Sequence, residues 1–174
     1  MKFILGLIRN LSPNGEDLTF YITFMPTDRH SLFSVIFTNG IGTASFYRII
    51  MWDHMFVANY GTSDNAFGRL PYLMNVKFKA EVRINECIVD GTSYALPSYT
   101  GLENTQAITI FNRYDGLRQI SGRLYSFRID KAGMKVLDLI PVRIGDEGYM
   151  YDRISGNLFG NQGSGKFILG PDIN

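Results

Sequence analysis

The residues of this chain that could carry chemistry include a glycine-rich segment near its C-terminus, residues 160–166, which reads GNQGSGK. It matches most of the G-x-x-x-x-G-K-[ST] pattern, in which a loop and the helix after it hold phosphates and a Ser or Thr reaches magnesium. Here Phe167 follows the lysine, and the run Phe-Ile-Leu-Gly-Pro is typical of a strand with a stop. We therefore predict a hairpin loop at this segment and not a nucleotide site.

Carboxylate pairs are the next candidates, because glycosidases that retain configuration need two carboxyl groups about 5 Å apart. The acidic residues of this chain are scattered, and Asp146 and Glu147 are adjacent. Neighbouring side chains of a strand point to opposite faces, so we predict that these two lie in a turn with Gly145 and Gly148. The pattern argues against a glycoside hydrolase.

Nucleophiles and soft metal ligands are few. His30 and His54 both lie in polar turn segments, outside any recognisable catalytic triad. Cys87 stands in an apolar run, which predicts an inert thiol packed in the core. Without a cluster of His and Cys a zinc site is not expected. The sequence thus predicts that the chain is not an enzyme and has no cofactor, with calcium the one metal left open.

Composition bounds the class of protein. The 174 residues fit one domain spanning 1–174, and the 17 basic and 16 acidic residues nearly cancel, which gives no basis for binding nucleic acid. A single cysteine excludes an internal disulfide. No run approaches the roughly 20 apolar residues of a membrane span. The apolar start is too short for a signal peptide, so we expect no membrane association and assembly in a cytoplasm.

The elements that must position any site are strands. Residues 18–25 alternate, with Phe20, Ile22 and Phe24 on one face, and residues 76–85 alternate more regularly, with Val76, Phe78, Ala80, Val82 and Ile84 on one face. We predict about a dozen short strands separated by turn signals, a polar loop over residues 61–69, and no helix. The sequence predicts an all-β sandwich or barrel.

A family resemblance refines this prediction. The runs GRLYSFRI (122–129) and DLIPVR (138–143), the pair Tyr151-Asp152, and NQGSGKF (161–167) resemble the laminin-G-like branch of the concanavalin A-like lectin/glucanase superfamily. The resemblance implies an antiparallel jelly-roll sandwich of two packed sheets. Modules of this kind occur in bacteriophage virion proteins and in surface proteins of gut bacteria. The N-terminal part departs from the pattern, so either the first sheet is trimmed or a neighbouring chain completes it.

Two kinds of ligand site are candidates, one for a sugar and one for calcium. Sugar binding requires an exposed aromatic platform beside planar polar groups, which loop-proximal aromatic residues could supply. The candidates for carbohydrate contact are Trp52, Tyr60, Tyr72, Tyr99 and Tyr114. Some laminin-G-like domains bind calcium at the rim of the sheets, and the candidate ligands here are Asp53, Asp64 and Asp115.

The functional expectation is a non-enzymatic, structural or adhesive virion component of a bacteriophage, as a capsid decoration, head fibre or tail fibre module. Its expected partners are other virion proteins, further copies of itself in a dimer or trimer, and a cell-surface glycan. The expected location is the virion, assembled in the cytoplasm of the bacterial host. The alternative is a carbohydrate-binding module of a bacterial surface protein, located at the cell surface.

Overall fold

The structure of the chain is a computed structural model. It describes residues 3–5, 18–27, 34–38, 46–52, 55–61, 67–71, 74–96, 108–111, 121–161, 167 and 169–170. In five of these segments the structure describes the path and the pairing of the backbone. They are 3–5, 34–38, 46–52, 55–61 and 67–71.

Every regular element in the described residues is a β-strand. The strands are β1 (Phe3–Leu5), β2 (Leu18–Pro26), β3 (Ser34–Thr38), β4 (Phe46–Trp52), β5 (Met55–Gly61), β6 (Phe67–Pro71), β7 (Phe78–Arg83), β8 (Glu86–Val89), β9 (Thr92–Ala95), β10 (Ile108–Ile110), β11 (Gly122–Lys131), β12 (Met134–Ile144), β13 (Glu147–Asp152) and β14 (Leu158–Phe159). Within these residues the structure contains no helix that is long and apolar enough to cross a membrane.

The strands form two antiparallel sheets. One has six strands in the order β1-β10-β3-β4-β5-β6, and the other has eight in the order β14-β13-β12-β11-β2-β7-β8-β9. The predicted all-β, antiparallel class is therefore confirmed. The runs that carry the family resemblance at 122–129, 138–143 and 151–152 lie on β11, β12 and β13, three neighbouring strands of the larger sheet.

The core lies along one face of the eight-stranded sheet, as the alternation in β2 predicts. Phe20, Ile22 and Phe24 are at most 1 % exposed, and Phe127 on β11 is fully buried beside them. Strand β10 of the other sheet contributes Ile108 and Ile110 to the same cluster. This face is tightly packed at Gly122, where a Cβ atom would lie 2.2 Å from the ring of Phe24, so only glycine fits there.

Two-residue turns set the register of the hairpins in this sheet. Asp90 and Gly91 have φ of 47° and 85°, and Ala132 and Gly133 have φ of 49° and 74°. Positive φ at both central residues is the geometry of a type I′ turn, whose twist suits antiparallel strands. The predicted turns at these two dipeptides are confirmed.

Two local expectations differ from the structure. The predicted loop over residues 61–69 is wrong at both ends, because Gly61 belongs to β5 and Phe67–Pro71 form β6. Val76 and Ile84 are exposed by 46 % and 37 %, since they lie outside the ends of β7 and only its central residues face the core. The N-terminal strand β1 pairs antiparallel with β10 and is the first strand in the order of the six-stranded sheet, so completion of that sheet by a neighbouring chain stays a prediction.

Candidate functional site

An open pocket of about 230 Å³ lies at the edge of the eight-stranded sheet, beside the turn that joins β12 to β13. Pockets for drug-sized ligands measure roughly 300–1,000 Å³, so this one suits a group of the size of a single sugar ring. Its lining combines an aromatic ring with carboxylate and amide groups. The lining residues are Asp146, Glu147, Gly148, Tyr149, Gly160, Asn161 and Phe167.

The polar side of the pocket is a carboxylate that holds a tyrosine. Glu147 and Tyr149 are two residues apart on β13, so both point to the same face of the strand. The Tyr149 hydroxyl donates a hydrogen bond of 2.7 Å to Oε2 of Glu147. This hydrogen bond, reinforced by the charge of the carboxylate, raises the pKa of Tyr149. At neutral pH the phenol therefore keeps its proton, and its orientation is fixed by the carboxylate.

The apolar side of the pocket depends on a glycine. A Cβ atom at Gly148 would lie 2.8 Å from Cβ of Phe167 and 3.0 Å from Cδ2 of Leu169. The chain after β14 therefore packs directly on the backbone of β13, and Phe167 is partly buried against the core. Gly160 lies against the ring of Tyr149, since a Cβ there would be 3.7 Å from Cε1 of Tyr149. This close packing sets the two walls of the pocket.

The far end of β13 is anchored by a buried carboxylate. Asp152, only 3 % exposed, accepts hydrogen bonds from the N–H groups of Asp138, Ile154 and Ser155 and from the Ser155 hydroxyl, at 2.9, 3.1, 3.2 and 2.6 Å. Burial acts to raise its pKa, but the hydrogen bonds from Ser155, Asp138 and Ile154 outweigh burial, and the pKa lies below its usual range. This carboxylate fixes the turn that leads from β13 into β14.

A second buried carboxylate ties this turn to β12. Asp138 is 4 % exposed, and Nη2 of Arg153 donates to both of its oxygens, at 2.9 and 2.7 Å. Nζ of Lys135 lies 3.4 Å from Oδ2 of the same carboxylate. The two cations compensate the buried charge. Strands β12, β13 and β14 are thus held as one unit that carries the pocket at its opposite end.

Of the predicted sugar-binding residues, the structure describes the strand positions of Trp52 and Tyr60, and these two lie apart. Trp52 ends β4 opposite Met55, whereas Tyr60 stands opposite Tyr47 near the other end of the same hairpin. Five residues of strand separate these positions, or about 17 Å. Tyr72, Tyr99 and Tyr114 lie outside the described residues, as do the candidate calcium ligands Asp53, Asp64 and Asp115. In the part of the chain that the structure describes, no three His, Cys, Asp or Glu residues are grouped as a metal site requires.

Two sequence predictions near the pocket can be compared with the structure. The predicted turn at Gly145 and Asp146 is present, but Glu147 and Gly148 belong to strand β13. The predicted inward packing of Phe159 and Phe167 is confirmed, since both pack against the core. Residues 162–166 of the glycine-rich segment lie outside the described residues. The sequence analysis did not select Tyr149 as a candidate site residue. Its position two residues after Glu147 was a usable signal, because side chains at that spacing in a strand lie on the same face.

Cys87 is a buried core residue, 2 % exposed, as predicted. Burial, with the nearby charges of Glu81 and Glu86, raises its pKa to about 12. The thiol is therefore protonated at neutral pH and unreactive as a nucleophile.

Comparison with known proteins shows that the chain resembles solved structures in fold, but it identifies no protein family. No protein-family model matches the chain, and no curated protein matches it in sequence. The predicted membership of the concanavalin A-like superfamily is therefore not confirmed at the level of a family. Among the solved structures that the chain resembles is "Trypanosoma rangeli sialidase in complex with sialic acid", with a TM-score of 0.55 and 12 % identity. The likeness covers 70 % of this chain and 21 % of that one.

This likeness corrects the prediction that the chain is not an enzyme. The structure that shares its fold belongs to a sialidase, which is an enzyme, so an all-β fold of this kind does not exclude catalysis. The prediction failed because it rested on the absence of known catalytic spacings in the sequence. At 12 % identity the likeness concerns the fold alone, and the chain spans about a fifth of that sialidase.

Proposed function

We propose that the two sheets form a jelly-roll sandwich of the lectin type, and that the chain is an adhesive component of a bacteriophage virion that binds a host glycan in the pocket between β13 and the chain after β14. The observation that carries the binding function is the pocket itself. It offers the ring of Tyr149, the carboxylate of Glu147 and the side chain of Asn161 around a volume of about 230 Å³. An aromatic face beside planar polar groups is what a sugar ring requires.

The geometry favours a polyol ligand over an apolar one. Oε2 of Glu147 already accepts the Tyr149 hydroxyl, and a carboxylate has further acceptor sites that match sugar hydroxyl groups. Because the hydrogen bond holds the tyrosine in place, little side-chain entropy is lost when a ligand stacks on its ring.

The virion location is supported by the family resemblance of 122–129, 138–143 and 151–152, which lie on three neighbouring strands. A capsid decoration, a head fibre or a tail fibre would each display such a module. The expected result is that the protein is found by mass spectrometry in purified particles, with capsid, portal or tail genes next to its coding sequence. A coding sequence inside a polysaccharide-utilisation cluster would instead place the chain on a bacterial surface.

The binding function is tested with a panel of bacterial surface glycans and simple hexoses, measured in solution by ligand-observed NMR. We expect binding that falls about tenfold or more in Tyr149→Ala, because stacking on an aromatic ring is lost. The Tyr149→Phe variant keeps the ring and loses the hydroxyl bond to Glu147, so its loss should be smaller. The same samples are followed over time, so that any turnover of a bound glycan is recorded.

The matched control is Tyr94→Ala. Tyr94 is a half-buried tyrosine of β9, at the opposite edge of the same sheet, and its removal should leave glycan binding unchanged. Equal losses in the Tyr94 and Tyr149 variants, or no binding to any glycan of the panel, would show that the pocket is not a sugar site.

A further inference from the structure

The polar groups that line the pocket beside the β12–β13 turn are mostly hydrogen-bond acceptors. Asp146 and Glu147 each contribute a carboxylate, which accepts hydrogen bonds and donates none when it is ionised. The Tyr149 hydroxyl donates its single proton to Oε2 of Glu147, so its oxygen is left to accept from a ligand. Among the described lining side chains, the amide of Asn161 is the one that carries N–H donors. A ligand that is rich in donors therefore suits this pocket.

The pocket also has a negative charge. Carboxylates are ionised at neutral pH, and no Lys, Arg or His is among the described residues that line the pocket. Arg143 precedes Asp146 by three residues on β12, where it stands opposite Gly148. Even with this guanidinium counted, two carboxylates and one cation leave one excess negative charge.

We propose, on the basis of the glycan-binding function proposed above, that the preferred ligand is a sugar with a free, protonated amino group, such as a 2-amino hexose. An ammonium group has three donors and no acceptor, so it matches the pocket in hydrogen bonding as well as in charge. N-acetylation removes the charge and leaves a single N–H donor. A uronic acid adds a further carboxylate to a pocket that already holds two, so acidic sugars are disfavoured.

The hydrogen bond between Tyr149 and Glu147 prepares the site for an ammonium group. It occupies Oε2 of Glu147, whereas an ionised carboxylate has about four acceptor positions in all. Both residues lie on one face of β13, which places the charge beside the tyrosine ring. A sugar can therefore stack on the ring while its ammonium group reaches the carboxylate, and little side-chain entropy is lost.

The exposure of the two carboxylates limits the strength of this preference. Asp146 and Glu147 are both exposed, and an exposed ion pair changes an equilibrium constant by at most about fivefold. We expect an amino hexose to bind about threefold more tightly than its N-acetylated form, and a uronic acid to bind about threefold more weakly than the neutral hexose.

Ligand-observed NMR on matched sets of methyl glycosides tests the preference. Each set contains the neutral hexose, the 2-amino hexose, its N-acetylated form and the uronic acid, in the gluco and galacto configurations. At about pH 6 the carboxylates are ionised and the amine is protonated. Raising the ionic strength to about 1 M shortens the Debye length to about 3 Å, which should remove most of the preference and leave the binding of the neutral hexose unchanged.

Isosteric variants assign the preference to the pocket. Glu147→Gln keeps an acceptor for the Tyr149 hydroxyl and removes the charge, so the amino hexose should lose about threefold in affinity while the neutral hexose keeps its own. Asp146→Asn should act in the same direction. The matched control is Glu86→Gln, since Glu86 also accepts a hydrogen bond from a hydroxyl, that of Ser93, and lies on the β7–β8 hairpin outside the pocket. It should leave the preference intact, and thermal melts check that each variant is folded.

The outcomes separate this proposal from the glycan function on which it rests. A neutral hexose or a uronic acid that binds as tightly as the amino hexose would overturn the charge preference and leave the glycan function standing. A preference that survives Glu147→Gln, or that Glu86→Gln removes equally, would do the same. If no sugar of any set binds the wild-type chain, the glycan function fails, and the preference fails with it.

Discussion

Two carboxylate-centred networks lie near opposite ends of the eight-stranded sheet, and they differ in burial. At the β13–β14 end, Asp152 is 3 % exposed and accepts four hydrogen bonds, three of them from backbone N–H groups. On the β7–β8 hairpin, Glu86 accepts a hydrogen bond of 2.6 Å from Nε of Arg83 and one from the Ser93 hydroxyl. The side chains of Arg83 and Glu86 are 42 % and 29 % exposed.

The comparison teaches that the direction of a pKa shift does not measure a contribution to stability. The pKa of Glu86 is lowered, first by its hydrogen bond to Ser93 and then by that to Arg83, and the pKa of Asp152 is lowered as well. Water can replace the partners of Glu86 when they are removed. It cannot easily replace the carboxylate of Asp152, because the hydrogen bond from the N–H of Asp138 is buried and those from Ile154 and Ser155 are partly buried.

The largest effect is therefore expected from Asp152→Ala. The variant leaves the N–H groups of Asp138, Ile154 and Ser155 without their acceptor, so the free energy of unfolding should fall by about 3 kcal/mol. Urea denaturation followed by fluorescence measures the change. A loss no greater than that of a surface substitution would mean that water replaces the carboxylate, and the distinction between the two networks would fail.

The sequence predicted the parts of this fold that local alternation determines. Phe20, Ile22 and Phe24 were assigned to one buried face because a strand has a side-chain period of two, and Cys87 was assigned to the core because it stands in an apolar run. Residues 67–69 were predicted to belong to a polar loop over 61–69, yet pairing with β5 makes Phe67–Pro71 a strand.

The candidate site was less predictable, since it depends on contacts between distant residues. Asp152 satisfies the N–H of Asp138, which lies 14 residues away, and no local pattern in the sequence indicates that pairing. The pocket forms where Phe167 packs on Gly148, a contact that requires the chain to turn around the edge of the sheet. Aromatic residues near loops were favoured as ligand contacts, whereas Tyr149 lies within a strand.

A smaller effect is expected when the same carboxylate is tested with pH. The folded-state pKa of Asp152 is lowered, whereas an unfolded Asp titrates near about 3.9. Its contribution is therefore complete above the unfolded pKa and is lost as pH falls through the folded pKa. Asp152→Asn should be less stable than the wild type near neutral pH, and the two should converge in acid. Urea midpoints measured from neutral pH into acid give the gap, and a gap that stays constant would contradict the assignment.

The smallest effect is expected from Glu86→Ala, which should leave the urea midpoint close to that of the wild type. Raising the ionic strength from about 0.1 M to about 1 M shortens the Debye length from about 10 Å to about 3 Å, so whatever the Arg83–Glu86 pair contributes to stability should shrink further in salt.

Two controls separate the interactions of Glu86. Ser93→Ala removes the hydroxyl hydrogen bond and keeps the ion pair, and a double-mutant cycle of Arg83 and Glu86 isolates the coupling between those two residues. The buried hydrogen bond from the N–H of Asp138 to Asp152 should be less sensitive to the same salt. If Glu86→Ala were as destabilising as Asp152→Ala, solvent exposure would not be the property that separates the two networks.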